Sequence, residues 1–162
     1  MGPNYYWPLR TNNNSKKALI ILAHGFGEQG DYELYNSMKD FEDDYVTSLS
    51  LGMSMMTSDH INCSLIDVKN NNVEQIYVVP VSSTPYNTLV RQWRYIFKLE
   101  KEPTYADVNQ VDTQGVIFLE TISDNIYAKK IILEYAKEIS SDEENEVVII
   151  ICLLYTSDAA AE

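Results

Sequence analysis

The chain has 162 residues, of which 45% are hydrophobic and 22% are charged, and it contains only 6 glycines and 5 prolines. This composition excludes collagen-like, linker-like and globally disordered chains, and the length suits one compact domain. Acidic residues outnumber basic residues 24 to 12, for a formal net charge of −12, which argues against sequence-independent nucleic-acid binding and against an anionic membrane surface as partners.

The two cysteines, Cys63 and Cys152, are too few for a disulfide framework. No secretory apolar segment follows Met1. The longest apolar run covers only 147–155, whereas a membrane-spanning helix needs about 20 residues. We therefore expect a cytoplasmic protein with reduced cysteines and no membrane partner.

In chain order, the apolar patterns alternate between strand and helix. The predicted strands cover 18–23, 46–51, 75–81, 116–119 and 147–151. The predicted helices cover 28–44, 58–69, 85–99 and 124–139. Segments 1–16 and 101–114 are predicted to be irregular. Strands that alternate with helices indicate right-handed crossovers, which give a parallel sheet covered by helices on both faces.

The first predicted strand leads directly into His24, Gly25, Phe26 and Gly27. Ligands of open α/β sheets bind beyond the carboxyl ends of the strands, which is where His24 is expected. A neutral imidazole there can bind a metal or act as a base near neutral pH, and the glycines let the backbone approach a ligand. The alternative is a histidine that only forms a hydrogen bond with the backbone of its turn.

A second candidate segment follows the third predicted strand. Ser82, Ser83 and Thr84 are expected to bring hydroxyl and N–H groups to a helix N-terminus, which favours an anion. Arg91 and Arg94 follow and could bind a carboxylate through two hydrogen bonds each. The alternative is an ordinary helix cap with surface arginines.

A third segment combines the methionine-rich stretch 52–56 with His60 and Cys63. Methionine, histidine and cysteine can bind soft metals, and His60 and Cys63 share one face of a predicted helix. No second pair of Cys or His completes a zinc site, so methionines that fill gaps near a cleft are the preferred interpretation.

Four stretches of the chain resemble the CbiX-like sirohydrochlorin chelatases of the class II tetrapyrrole chelatase family. They are ALIILAHG at 18–25, LGM at 51–53, QIYVVPVSSTPYNTLVR at 75–91 and VIFLETISDNIYAKKIILEYAKEI at 116–139. The similarity covers roughly 17–151.

The resemblance implies a chelatase-like α/β lobe over 17–145, with three layers (αβα) and a mainly parallel four-stranded sheet. An irregular segment, 1–16, precedes the lobe. Segment 146–151 resembles the first strand and would begin a second lobe, so the two lobes that face each other come from one chain or from a homodimer. Segment 152–162 resembles the translation of a sequencing adapter, and we exclude it from functional interpretation.

The resemblance also implies the reaction, which is insertion of cobalt or iron into sirohydrochlorin for cobalamin or siroheme biosynthesis. The divalent metal is a substrate, and no nucleotide is used. By this resemblance His24 is the catalytic residue and a metal ligand, whereas Tyr86 occupies about the place of the family's second histidine. Tyrosine is a poor neutral ligand, because its pKa is about 10. The implied substrate-binding residues are Gly25, Phe26, Ser82, Ser83, Thr84 and Arg91.

Two other functions remain open on the sequence. The replacement of a histidine by Tyr86 would suit a non-catalytic protein that holds a metal or a tetrapyrrole. The stretch LAHGFGE after a buried strand also resembles the oxyanion-hole segment of α/β-hydrolases, although the chain has no G-x-S-x-G nucleophile motif.

Overall fold

A computed structural model describes residues 5–9, 14–122, 125–142 and 144–149. The chain divides into two compact units, 1–121 and 122–162. None of the helices within the described ranges is long and apolar enough to cross a membrane.

The first unit contains a five-stranded sheet with the order β1-β3-β2-β4-β5. The strands are β1 (Tyr5–Leu9), β2 (Lys17–Ala23), β3 (Val46–Leu51), β4 (Gln75–Pro80) and β5 (Val116–Phe118). Strands β2 to β5 run parallel, and β1 pairs antiparallel with β3. The α/β class is therefore confirmed, and the four parallel strands are those expected from the apolar runs.

The edge strand β1 corrects two expectations, because 1–16 is not irregular throughout and the sheet has five strands rather than four. Tyr5, Tyr6 and Trp7 are aromatic residues that favour extended backbone. Pro8 lies opposite Ser48 and is tolerated because an edge strand is paired along only one side.

Helices cover both faces of the sheet, in the three-layer arrangement that was expected. They are α1 (Gly27–Met38, followed by a 3-10 turn at Lys39–Phe41), α2 (Asp59–Lys69) and α3 (Thr88–Ile96). On one face, Leu34 and Met38 of α1 belong to an apolar cluster that includes Leu19 of β2. On the other face, α2 and α3 contribute Leu65 and Trp93 to a separate apolar cluster.

Three helix boundaries differ from the prediction by three residues or more, and one of them is the end of α3 at Ile96 instead of residue 99. Helix α1 ends at Met38 instead of residue 44, and α3 begins at Thr88 instead of residue 85. The later start of α3 has a local cause, because Oδ1 of Asn87 accepts the N–H of Leu89 at 2.8 Å. The segment 101–114 contains no helix or strand, as expected.

The second unit contains α4 (Ile126–Ile139), where Oδ1 of Asn125 accepts the N–H of Tyr127 at 2.8 Å. Glu146 accepts hydrogen bonds from Ser140, Ser141 and Asp142, and these donors lower its pKa to about 2.

The predicted strand from residue 147 is wrong over 147–149, which is irregular. Residues 150–151 and the segment 152–162 lie outside the described residues.

Candidate functional site

The strand order places the first two candidate segments at neighbouring strand ends. Strand β2 lies between β3 and β4, so the chain leaves β2 toward one side of the sheet and returns to the other. Such a reversal opens a ligand crevice at the carboxyl ends of the strands involved. His24 follows β2, Ser82 follows β4, and the N–H of Val81 donates to the carbonyl of Leu22 at 2.8 Å.

A cavity of about 250 Å³ lies at the carboxyl end of β2. Its walls come from the turn after β2, the first turn of α1, the end of β3 and the edge strand β1. The lining residues are Tyr5, His24, Gly25, Gly27, Glu28, Asp31, Leu51 and Gly52.

His24 is half-buried, and its Nδ1 atom is shielded from solvent. Within the described ranges, this nitrogen has no hydrogen-bond partner. The imidazole ring lies 5.0 Å from the ring of Phe26. A buried polar atom without a partner costs free energy, so Nδ1 of His24 is a candidate ligand atom.

Asp31 is a buried carboxylate that touches the same turn. It is 7% exposed, its Oδ1 atom accepts the N–H of Phe26, and its Oδ2 atom accepts the hydroxyl of Tyr5, both at 2.7 Å. Burial, followed by the hydrogen bond and charge of Asp31, raises the pKa of Tyr5 to about 12. The phenol of Tyr5 therefore remains a donor at neutral pH.

The charged residues in the cavity lining are the carboxylates Glu28 and Asp31. Among the described lining residues there is no lysine or arginine. A negative cavity attracts cations and repels carboxylates, because opposite charges gain Coulomb energy at short range. The charge of this cavity therefore favours a metal cation over the carboxylate groups of a ligand.

Most of the other predicted binding residues lie outside this lining. Gly25 is part of it, whereas Phe26, Ser82, Ser83, Thr84, Tyr86 and Arg91 are not among the described lining residues. Tyr86 is 85% exposed. Tyr86, the second predicted metal ligand, is therefore not among the described residues that line the cavity.

Glu100 forms ion pairs with both candidate arginines. Its carboxylate lies 3.5 Å from Nε of Arg91 and 3.3 Å from Nε of Arg94. These contacts offset part of the positive charge that would bind a polycarboxylate. The segment Ser82–Thr84 also ends before α3 begins, so Asn87 instead of these hydroxyl residues caps the helix.

The third candidate segment forms a buried hydrogen-bond chain. Nε1 of Trp93 donates to Oγ of Ser54 at 3.1 Å, and this oxygen lies 3.1 Å from Nε2 of His60. The indole can only donate, so the Ser54 hydroxyl accepts from Trp93, and the direction of its hydrogen bond with His60 depends on the imidazole tautomer. Nδ1 of His60 has no hydrogen-bond partner among the described residues. Ser54 is 0% exposed, so this Ser–His pair offers a substrate no access and does not support the hydrolase alternative.

We expect this histidine to make stability depend on pH. Burial lowers the pKa of His60 from 6.5 to about 4. Between these values the unfolded chain binds a proton that the folded chain does not, so unfolding becomes easier as the pH falls. The loss should be about 1.4 kcal/mol per pH unit below 6.5, and about 3 kcal/mol by pH 4.

Urea unfolding at pH 7 and pH 5 tests this expectation. The wild-type protein should lose about 2 kcal/mol more than His60→Gln, which has no titrating imidazole at this position. Equal losses in the two proteins would show that folding does not lower the pKa of His60.

Two further observations define the limits of the site. No group of three or more His, Cys, Asp or Glu side chains in the described parts of the chain is arranged to hold a metal ion. A larger cavity of about 540 Å³ lies in the second unit and is lined mainly by apolar residues of α4 and by Val147–Ile149. It holds none of the predicted site residues.

In comparisons with known proteins, no protein-family model and no curated protein matches the chain.

Proposed function

We propose that the chain is a chelatase-like lobe that inserts cobalt or iron into sirohydrochlorin. Two observations carry this proposal: Nδ1 of His24 has no hydrogen-bond partner among the described residues, and His24 lines a cavity with two carboxylates beyond the parallel strands. The resemblance of 18–25 and 75–91 to the chelatases supplies the substrate, and the sheet brings the ends of β2 and β4 together.

The proposed chemistry uses the metal ion as a substrate. The Nδ1 atom of His24 binds the divalent metal through its lone pair while Nε2 carries the imidazole proton. The negative charge of Glu28 and Asp31 stabilises the cation before transfer. Insertion replaces two N–H protons of the macrocycle, and the exposed carboxylate of Glu28 can accept a proton and release it to solvent.

A spectrophotometric insertion assay tests the proposal. Sirohydrochlorin is incubated with Co²⁺, Fe²⁺ or Ni²⁺ and the full chain, and the absorbance of the metallated product is followed. We expect at least one metal to be inserted faster than in a mixture with heat-denatured protein. Equal rates with native and denatured protein for all three metals would contradict the proposed activity.

A second function, holding a metal or tetrapyrrole without insertion, is favoured by one observation. Tyr86 stands near the place of the family's second histidine, is highly exposed, and is not among the described residues that line the His24 cavity. A phenol does not accept protons at neutral pH, since its pKa is about 10. If a base is missing, binding would proceed without insertion.

The substitution Tyr86→His distinguishes the two functions. Under the holding function, Tyr86→His should insert Co²⁺ about tenfold faster or more than the wild type, because a positioned acid or base contributes about 10²–10⁴-fold to a rate. Under the insertion function, the rate should be unchanged, because Tyr86 is exposed and is not among the described residues that line the cavity. Tyr135→His, at another exposed tyrosine, is the matched control and should leave the rate unchanged. Tight Co²⁺ binding by the wild type without insertion would favour the holding function, and a gain of insertion in Tyr86→His would strengthen it.

A further inference from the structure

The Asp31 carboxylate is held against the turn that carries His24. The positions of its two oxygens are fixed by the N–H of Phe26 and the hydroxyl of Tyr5. A Cβ atom placed on Gly25 would lie 3.9 Å from Oδ1 of Asp31. Among the described residues, no lysine, arginine or histidine forms an ion pair with this carboxylate. A buried carboxylate without a cation is costly, which indicates a specific role for Asp31.

The turn that carries His24 depends on a contact with another residue to fix its backbone. Gly25 and Gly27 have φ angles of +93° and +81°, in the left-handed region that glycine adopts without strain. Two glycines of this kind also leave the backbone around His24 with much conformational freedom. The hydrogen bond from Phe26 to Asp31 lies between them and restricts this freedom.

Tyr5 reaches Asp31 from a distant part of the chain. It belongs to β1, where it pairs with Leu51 at the end of β3, next to the cavity. The strand pairing fixes the position of the Tyr5 side chain along the edge of the sheet. The hydrogen bond from Tyr5 to Asp31 then connects this strand to α1. A continuous set of contacts therefore runs from the edge of the sheet to the His24 turn.

We propose that Tyr5 and Asp31 are positioning residues for His24, so that the edge strand β1 completes the metal-binding cavity. This inference rests on the proposed function, because it assumes that His24 binds a divalent metal. Asp31 fixes the turn through Phe26, and Tyr5 fixes Asp31. Partners that orient a metal ligand typically change metal affinity by about 10–100-fold when they are removed.

Isothermal titration of the full chain with Co²⁺ tests the inference. We expect Tyr5→Phe to weaken Co²⁺ binding about tenfold, with circular dichroism unchanged. Tyr6→Phe is the matched control, because Tyr6 lies next on β1, points to the opposite face, and is 39% exposed. It should bind Co²⁺ like the wild type.

Two substitutions of Asp31 separate position from charge. Asp31→Asn still offers an oxygen to the N–H of Phe26, whereas Asp31→Ala does not, so the alanine variant should bind Co²⁺ more weakly than the asparagine variant. Equal losses in both would show that Asp31 acts through its charge alone and would overturn the positioning role.

The outcomes also separate this inference from the proposed function. Unchanged Co²⁺ affinity in Tyr5→Phe and Asp31→Ala, together with loss of binding in His24→Ala, overturns the inference and leaves the metal site at His24 intact. No Co²⁺ binding by the wild type overturns both. A lower melting temperature in Tyr5→Phe without a change in affinity would assign Tyr5 a structural role only.

Discussion

Replacing His24 with alanine should weaken Co²⁺ binding by more than about 100-fold, which exceeds the 10–100-fold loss typical of residues that only orient a ligand. The reason is that His24 lines the cavity and its Nδ1 atom has no hydrogen-bond partner among the described residues. The fold should remain intact, because the side chain is only half-buried and belongs to a turn. Substitutions at the surface usually change the free energy of unfolding by less than about 0.5 kcal/mol.

Calorimetric titration and thermal melting of one His24→Ala preparation measure both effects. His60→Gln is the control for a general histidine effect, since His60 is buried behind Ser54 and should not contribute to Co²⁺ binding. A large loss of melting temperature with unchanged Co²⁺ affinity would assign His24 a structural role and remove the main support for the proposed function.

Among the proposed substitutions, Gln92→Ala should lower the free energy of unfolding the most. Gln92 lies on α3, is 0% exposed, and holds the irregular segment after the helix. Its Oε1 atom accepts the N–H groups of Thr104 and Tyr105 at 2.9 and 3.0 Å, and its Nε2 atom donates to the carbonyl of Ala106 at 2.9 Å. Leaving these groups unpaired should cost about 3 kcal/mol or more.

Two variants identify the source of this loss. Gln92→Met keeps most of the side-chain volume but makes none of the three hydrogen bonds, so it should lose nearly as much stability as Gln92→Ala. Gln110→Ala removes a single part-buried hydrogen bond, to the carbonyl of Tyr95, and should cost about 1 kcal/mol or less. Urea unfolding measures all three variants. A loss below about 1 kcal/mol for Gln92→Ala would contradict the anchoring role.

The parallel part of the sheet was predictable because burial leaves a strong pattern in the sequence. Lys17–Ala23 is almost wholly apolar, as expected for a strand covered on both faces, and Val46–Leu51 was predicted with its observed bounds. In α2, Ile61, Leu65 and Val68 recur at helical spacing and are all buried. Local periodicity therefore defines these elements without any long-range information.

The remaining features depend on contacts between distant parts of the chain. Strand β1 contains Pro8, which argues against a strand unless the strand lies at an edge, and its pairing with β3 gives no local signal. Tyr5 and Asp31 are 26 residues apart, so sequence reasoning found His24 but missed both residues that contact its turn. Asp31 gave a weak signal, because it is a polar residue on the buried side of α1.

An NMR titration tests the metal site at His24 most directly. The chain has only two histidines, His24 and His60, so ¹⁵N labelling of histidine gives two imidazole rings to compare. Zn²⁺ serves as a diamagnetic substitute for Co²⁺, since both bind imidazole and only a ring that coordinates Zn²⁺ directly should show a large ¹⁵N shift. We predict a large shift of Nδ1 of His24 with the His60 ring unchanged. An unchanged His24 ring at saturating Zn²⁺, or a shift confined to His60, would contradict the proposed site.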